Sequence, residues 1–366
     1  MNNRRDFIKK VSLPFLTIPY YCNLENNVDK IYDGKILRIA LMGLGDYAKI
    51  IADAMIDCSK AKIVGLISGT PYKLDSWSKQ LNIKKENCYN YENYHNIIDN
   101  EEIDAVYIIT PNGLHKEMAI NIALARKHVI VEKPMAISSK DCIEMINVCK
   151  KAGVKLLVGY RMHFEPNTLE IVRLRKENIF GKILFFEGLT GFRIENTNQW
   201  RLDKKLSGGG SLVDVGIYCI NGSRYMIGEE PIWVTAQETK NDNKKFKEGV
   251  DETIQFQLGF PSGAIASCLS SYSQNNLNRF FLNGENGYAE MNPANNYGPI
   301  KAKYNNKELN FPIIKQQALQ MDAFSDYILN GISPKISVDG EEGLKDVRII
   351  EAIYSSIKNR TKIYLS

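Results

Sequence analysis

At 366 residues, 44% hydrophobic and 24% charged, the chain has the composition of an ordinary soluble globular protein and the length for two domains with sizeable cores. Its net charge of +5 is spread along the chain, and the one short basic run, Lys244, Lys245 and Lys247, reads as a solvated loop, which excludes a nucleic-acid partner. Seven cysteines without a C-x-x-C pair argue against a disulfide frame, and four histidines (His95, His115, His128, His163) without zinc-ligand spacing argue against a bound metal.

In chain order, Asn3-Arg4-Arg5-Asp6-Phe7-Ile8-Lys9 resembles a twin-arginine export signal, and residues 1–22 are assigned to it. The apolar stretch behind it is too short, and too broken by Pro14 and Pro19, to anchor the chain in a bilayer. The expected location is therefore periplasmic, or cytoplasmic if this segment is only a basic tail. Residues 23–34 form a polar arm. From 35 to 159, apolar strands at 36–42, 62–67, 104–109, 129–131 and 155–158 alternate with helices at 47–57 and 115–126. A further helix is opened by the capping pair Ser138 and Asp141, and on it Cys142 and Cys149 read as core thiols. This alternation predicts a doubly wound parallel sheet covered on both faces, an α/β Rossmann domain.

From 160 to 366 the texture changes. A helix at 168–176, a strand from 183 and a helix at 212–226 behind a glycine triplet precede strands of two-residue period. Ile254, Phe256, Leu258 and Phe260 point one way, and Thr253, Gln255 and Gln257 the other. Residues 283–287 read as a hairpin turn, and the closing helix carries Leu344, Val347, Ile350, Tyr354 and Ile357 at helical spacing. The expected second domain is α+β, with a large, mostly antiparallel open sheet whose free face suits a homodimer or homotetramer.

Two motifs carry chemistry. Gly43-Leu44-Gly45-Asp46-Tyr47-Ala48 follows a strand and opens a helix, the G-x-G-x-x-A form of the dinucleotide fingerprint. The second strand ends in Ser68-Gly69-Thr70, with Lys73 just beyond, where an NAD site needs a carboxylate. A hydroxyl and an ammonium suit a 2′-phosphate, so NADP is preferred to NAD; a turn hydroxyl and a surface charge are the plainer readings. Thr110-Pro111-Asn112 and Glu132-Lys133-Pro134 fall at carboxyl ends of strands, the ligand edge of such sheets. Farther on, Asp214 and Tyr218 lie four apart on the helix behind Gly208-Gly209-Gly210-Ser211; a mutually satisfied core pair is the alternative.

The fingerprint, the Glu132-Lys133-Pro134 loop and the Gly-rich helix start with Asp214 and Tyr218 together resemble the glucose–fructose oxidoreductase and inositol dehydrogenase family. Asn198-Gln199-Trp200-Arg201-Leu202 and Gly228-Glu229-Glu230-Pro231 point to its glucose–fructose branch. The resemblance covers residues 36 to 362 and implies Lys133, Asp214 and Tyr218 as the catalytic set, with a cis bond between Lys133 and Pro134. It implies cofactor contacts at Gly43, Leu44, Gly45, Asp46, Tyr47, Ala48, Ser68, Gly69, Lys73 and Tyr91. Further contacts would come from Thr110, Pro111, Asn112, His115, Glu132, Lys133, Arg161, Trp200 and Arg201.

The implied activity is oxidation of an aldose to an aldonolactone and reduction of a ketose to a polyol through a tightly bound NADP. Tyrosine, with an ordinary pKa near ~10, is a poor base at neutral pH, and a nearby ammonium favours its phenolate. Asp214 is expected to hold a substrate hydroxyl and to orient Tyr218. The alternatives are a sugar or polyol dehydrogenase that releases its cofactor, an NAD-dependent glycosidase on the same fold, and a non-catalytic binding protein.

Overall fold

The structure, a computed structural model, describes residues 34–247 and 249–365. The twin-arginine segment and nearly all of the arm lie outside the described residues.

Six strands form the first sheet: β1 (Leu37–Met42), β2 (Ala61–Ile67), β3 (Cys88–Tyr89), β4 (Ala105–Ile108), β5 (His128–Val131) and β6 (Leu156–Val158), in the order β3-β2-β1-β4-β5-β6 and all parallel. The central strands are continuous apolar runs because helices cover both faces. These are α1 (Asp46–Ala54), α2 (Pro71–Leu81), α3 (His115–Leu124) and α4 (Ser139–Ala152). The Ser138 hydroxyl caps α4 by accepting from the Asp141 N–H at 3.1 Å, and Cys142 and Cys149 face the core. The periodicity shows neither α2, whose face buries only Trp77, nor the two-residue β3. The helix expected to reach 57 ends earlier, in a 3₁₀ turn at Met55–Asp57.

The second sheet has nine strands, entered through α5 (Pro166–Lys176): β7 (Ile183–Arg193), β8 (Trp233–Thr239), β9 (Thr253–Gly259), β10 (Ile265–Ser271), β11 (Ser273–Gly284), β12 (Gly287–Met291), β13 (Ala302–Tyr304), β14 (Lys307–Leu309) and β15 (Ile363–Tyr364). Only β7 and β10 pair in parallel. Between β7 and β8 run the short α6 (Lys204–Ser207), a π-helical turn at Leu212–Gly216 and α7 (Ile217–Ile227). The sequence reads as one uninterrupted helix from 212, so this wider turn is a correction, and it changes how Asp214 and Tyr218 are offset. On β9, Ile254, Phe256 and Leu258 are buried while Gln255 and Gln257 are exposed.

Two closing helices, α8 (Gln316–Asn330) and α9 (Gly340–Asn359), join the halves. Met321 and Phe324 of α8, with Leu344 and Val347 of α9, pack in the core of the first sheet. Ile349, Ile350 and Ile353 of the same α9 pack in the core of the second. One helix thus belongs to both cores and fixes the cleft between them. Among the described residues no helix is long and apolar enough to cross a membrane, six cysteines are free, and no group of His, Cys, Asp or Glu is placed to hold a metal.

Candidate active site

A cleft of about 430 Å³ runs along the carboxyl ends of β1, β4 and β5 and is closed on the far side by residues of the second domain. Gly43 has φ +94°, and a Cβ there would come 2.8 Å from the Ile109 carbonyl oxygen, so only glycine makes this turn. Gly45 caps α1 with extended backbone and no side-chain acceptor, and a Cβ on it would meet open space. A helix start left uncapped beside free volume fits a dinucleotide pyrophosphate. Leu44, Asp46 and Tyr47 line the cleft, whereas Ala48 is fully buried and serves only close helix packing.

At the end of β2, Ser68 is buried and its hydroxyl accepts from the Thr70 N–H at 3.2 Å, so it serves a turn. Lys73 reaches back to donate to the Leu44 carbonyl at 3.0 Å, which brings an ammonium to the fingerprint loop. Gly69 and the Tyr91 ring lie against one another on the same wall. Thr110, Pro111 and Asn112 border the cleft, but two of their side chains hold the frame. The Thr110 hydroxyl faces the Met118 sulfur at 3.4 Å, and the Asn112 amide donates to the Ser207 carbonyl at 2.8 Å.

His115 departs from its expected role. It is fully buried, its ring nitrogens lie 2.9 Å from the Thr110 carbonyl and 3.0 Å from the Pro134 carbonyl, and it ties two cleft loops together from behind. Arg161 departs too. It is 2% exposed and does not line the cleft itself; its guanidinium lies behind two residues that do, 5.1 Å from the Tyr218 ring centre and 4.6 Å from that of Tyr297.

Lys133, Asp214 and Tyr218 come together, in an arrangement the sequence did not show. The peptide bond between Lys133 and Pro134 is cis. Lys133 Nζ donates to the backbone carbonyl of Asp214 at 2.6 Å, stands 3.5 Å from Asp214 Oδ1, and lies 4.9 Å from the centre of the Tyr218 ring. Asp214 does not orient Tyr218. Its Oδ2 accepts from Arg201 Nε at 2.8 Å and from the Tyr272 hydroxyl at 2.9 Å. Burial works to raise the Asp214 pKa, but Arg201 and then Lys133 outweigh it and hold the carboxyl at about 2. Arg201, whose guanidinium also lies 4.5 Å from the Trp200 ring, is therefore as much the partner of Asp214 as a wall of the cofactor cleft. On the other side Glu132 is buried and accepts from the Tyr107 hydroxyl, and burial pushes its carboxyl up to about 7.

The glycine triplet is explained by a residue that sequence reasoning missed. Asp251, 2% exposed, accepts through Oδ1 from Gly210 N at 2.7 Å and the Tyr354 hydroxyl at 2.6 Å. Through Oδ2 it accepts from Leu212 N at 2.8 Å and the Ser211 hydroxyl at 2.9 Å. A Cβ on Gly209 would come 2.1 Å from the Tyr354 oxygen, and one on Gly210 would come 1.9 Å from the Asp251 carbonyl oxygen. The glycines make room for the carboxylate that anchors the turn carrying Asp214. Tyr272 and the cleft-lining Tyr297 were missed as well, since neither stands in a motif.

Residues 37–160 match the oxidoreductase family with an NAD-binding Rossmann fold, GFO/IDH/MocA, and residues 168–290 match the C-terminal domain of that family. The chain belongs to this family. It is 30% identical, over 291 residues, to the D-xylose 1-dehydrogenase [NADP(+)] of Haloarcula marismortui, covering 76% of this chain and 79% of that one. Among solved structures it resembles the aldose-aldose oxidoreductase from Caulobacter crescentus complexed with glycerol, with 40% identity and a TM-score of 0.87 over 90% of this chain and all of the other. A levoglucosan dehydrogenase complexed with NADH and levoglucosan, 21% identical with a TM-score of 0.76 over 90% of this chain and 99% of the other, shares the fold. Family membership makes the protein an oxidoreductase whose first domain binds a nicotinamide dinucleotide.

Two outcomes follow from the site. Asp251→Ala removes three hydrogen bonds to the turn carrying Asp214 and one to Tyr354, and is expected to cost about 3 kcal/mol, read as a lower denaturation midpoint. Glu132 holds its proton in the folded state up to about pH 7 but in the unfolded chain only to its ordinary value of 4.5. Its folded form therefore loses stability as pH rises through that window. Glu132→Gln, which cannot ionise, should match the wild type at pH 5 and exceed it by about 2–3 kcal/mol at pH 8 in urea unfolding. Equal stability at both pH values would contradict the shift.

Proposed function

We propose that the protein is an NADP-dependent sugar oxidoreductase that couples two sugars. One is oxidised at its anomeric carbon to a lactone, and the carbonyl of a second is reduced to a polyol, with the dinucleotide held throughout. The convergence of Lys133, Asp214 and Tyr218 at one end of the dinucleotide cleft carries this reading. The dinucleotide, when bound, supplies the hydride acceptor and donor. Tyr218 takes the proton of the sugar hydroxyl in the first half and returns it to the carbonyl oxygen of the acceptor sugar in the second. Asp214, anionic at every working pH, accepts from a neighbouring sugar hydroxyl, and Lys133 donates to one.

NADP rests on Lys73 at the fingerprint loop and on the lack of a carboxylate at the end of β2. The similarity to an NADP-dependent xylose dehydrogenase points the same way. The likeness to an aldose-aldose enzyme favours an aldose as the acceptor, with a ketose the second choice. Self-association through the outer face of the second sheet belongs to the same proposal, and sedimentation at monomer mass would remove it.

The test begins with nucleotide released by denaturing the purified protein, followed by single sugars and pairs without added cofactor. Turnover only with pairs supports coupling. Turnover only with added NADP replaces it with the second reading, a dehydrogenase that releases its cofactor, for which the xylose dehydrogenase similarity speaks. Tyr218→Phe should retain nucleotide and fail to reduce it; wild-type reduction would remove Tyr218 as the base. Lys73→Ala should weaken NADP binding by about 10- to 100-fold and leave NAD within a few-fold. Equal losses would overturn the choice of NADP.

A further inference from the structure

Lys133 and Arg161 lie beside the Tyr218 ring and Arg201 lines the same cleft; of the three, Lys133 and Arg201 are answered by Asp214. Lys133 sits on that residue's carbonyl and near its Oδ1, and Arg201 donates to Oδ2. Their fields at the phenol are those of ion pairs, which fall off faster than that of a lone charge. Arg161 differs. Only 2% of it is exposed. Every hydrogen bond of its guanidinium goes to a neutral acceptor: the Asn296 carbonyl at 2.9 Å, the Met162 sulfur at 3.3 Å, the Asn295 carbonyl and the Gln316 amide oxygen. Its Nε is buried without a hydrogen-bond partner. Among the described residues no carboxylate forms an ion pair with it. The guanidinium carbon stands 5.1 Å from the centre of the Tyr218 ring and 4.6 Å from that of Tyr297.

A buried charge without a counter-ion is among the costlier arrangements in a protein interior. The groups facing Tyr218 decide what can answer it. Asp214 is engaged by Lys133 and Arg201. Glu132 keeps its proton up to about pH 7, and although Arg161 acts on its carboxyl, the two form no ion pair among the described residues. Tyr47 and Tyr225 are phenols whose burial raises their pKa, and Tyr297 is a phenol 53% exposed to solvent. That leaves Tyr218 itself, which lines the cleft where a substrate hydroxyl arrives.

We infer that Arg161, more than Lys133, is the positioning residue that holds Tyr218 in its proton-accepting phenolate form. Resting on the reading of Tyr218 as the base, the inference assigns Arg161 the counter-charge and leaves Lys133 to bind the sugar hydroxyl. When the proton passes from sugar to phenolate, the guanidinium is left unanswered, and this drives the proton onward to the acceptor sugar in the second half.

The test reads ionisation directly. In the purified protein, the ultraviolet tyrosinate titration of wild type minus that of Tyr218→Phe should show one tyrosine ionising well below the ordinary value of about 10. In Arg161→Met that titration, and the rising limb of the kcat–pH profile for sugar oxidation, should move up by about one to two pH units. Arg161→Lys, which keeps the charge, should return most of the shift. A folded Arg161→Met with both curves unmoved overturns the inference. If that variant does not fold, the wild-type difference titration decides alone, and a curve with no early tyrosine overturns it. Wild-type turnover by Tyr218→Phe would instead overturn the underlying reading of the base.

Discussion

A single carboxylate joins the two domains at the cleft. Asp214 takes Lys133 from the first domain, and Arg201 and Tyr272 from the second. Burying an anion is tolerable only when its lone pairs are filled and an opposite charge is near, and each partner here meets part of that demand. The consequence reaches beyond stability. Because Arg201 and Lys133 hold Asp214 at about 2, it does not titrate where sugars are turned over. On the proposed reading it binds a hydroxyl without exchanging a proton with it, and proton transfer falls to another group in the cleft.

That division of labour depends on a turn that three separate devices hold in place. Asp251 anchors the start of the π-helical turn through Gly210, Ser211 and Leu212, and Tyr354 of α9 locks the anchor from the other side. The glycines permit the approach. The same α9 threads both hydrophobic cores, so the helix that locks the turn carrying Asp214 also sets the separation of the domains. Deeper still, Arg224 of α7 donates to Asp346 of α9 at 2.5 Å, with Tyr160 donating to the same carboxylate at 2.7 Å. The face of α7 away from the cleft is thus tied to α9 and to the chain leaving β6.

What the sequence made legible was whatever is encoded locally. The parallel strands announce themselves as apolar runs, β9 as a two-residue alternation, and the fingerprint as glycines at fixed offsets, because each pattern follows from contacts within a few residues. What stayed hidden is long-range. Asp251, Tyr272 and Tyr297 reach the site from loops and strand ends with no periodicity to mark them. The π-turn was invisible because the apolar spacing of 212–226 suits an α-helix equally well. His115 and Arg161 show a subtler limit. A motif names the residue without saying which way it faces, and both are buried behind the cleft wall, where they hold loops that border it.

On the proposed reading, this burial behind the cleft wall is what lets one cleft run a reaction in both directions. Oxidation of one sugar and reduction of another are mirror images only if the proton removed in the first half is kept and returned in the second. A solvent-exposed base would exchange it, and a carboxylate locked by two cations cannot carry it. The phenol of Tyr218 is half-buried, with Lys133 4.9 Å from its ring centre and Arg161 5.1 Å away, and Tyr297 lies beyond the guanidinium. Charge on that oxygen is stabilised by cations of the protein, and on the proposed reading its proton is shared with whichever sugar occupies the cleft. Coupling two substrates in this way requires no moving part: the fixed cation behind the phenol keeps it free of its proton before the first sugar arrives and, once the proton is accepted, favours giving it up to the second.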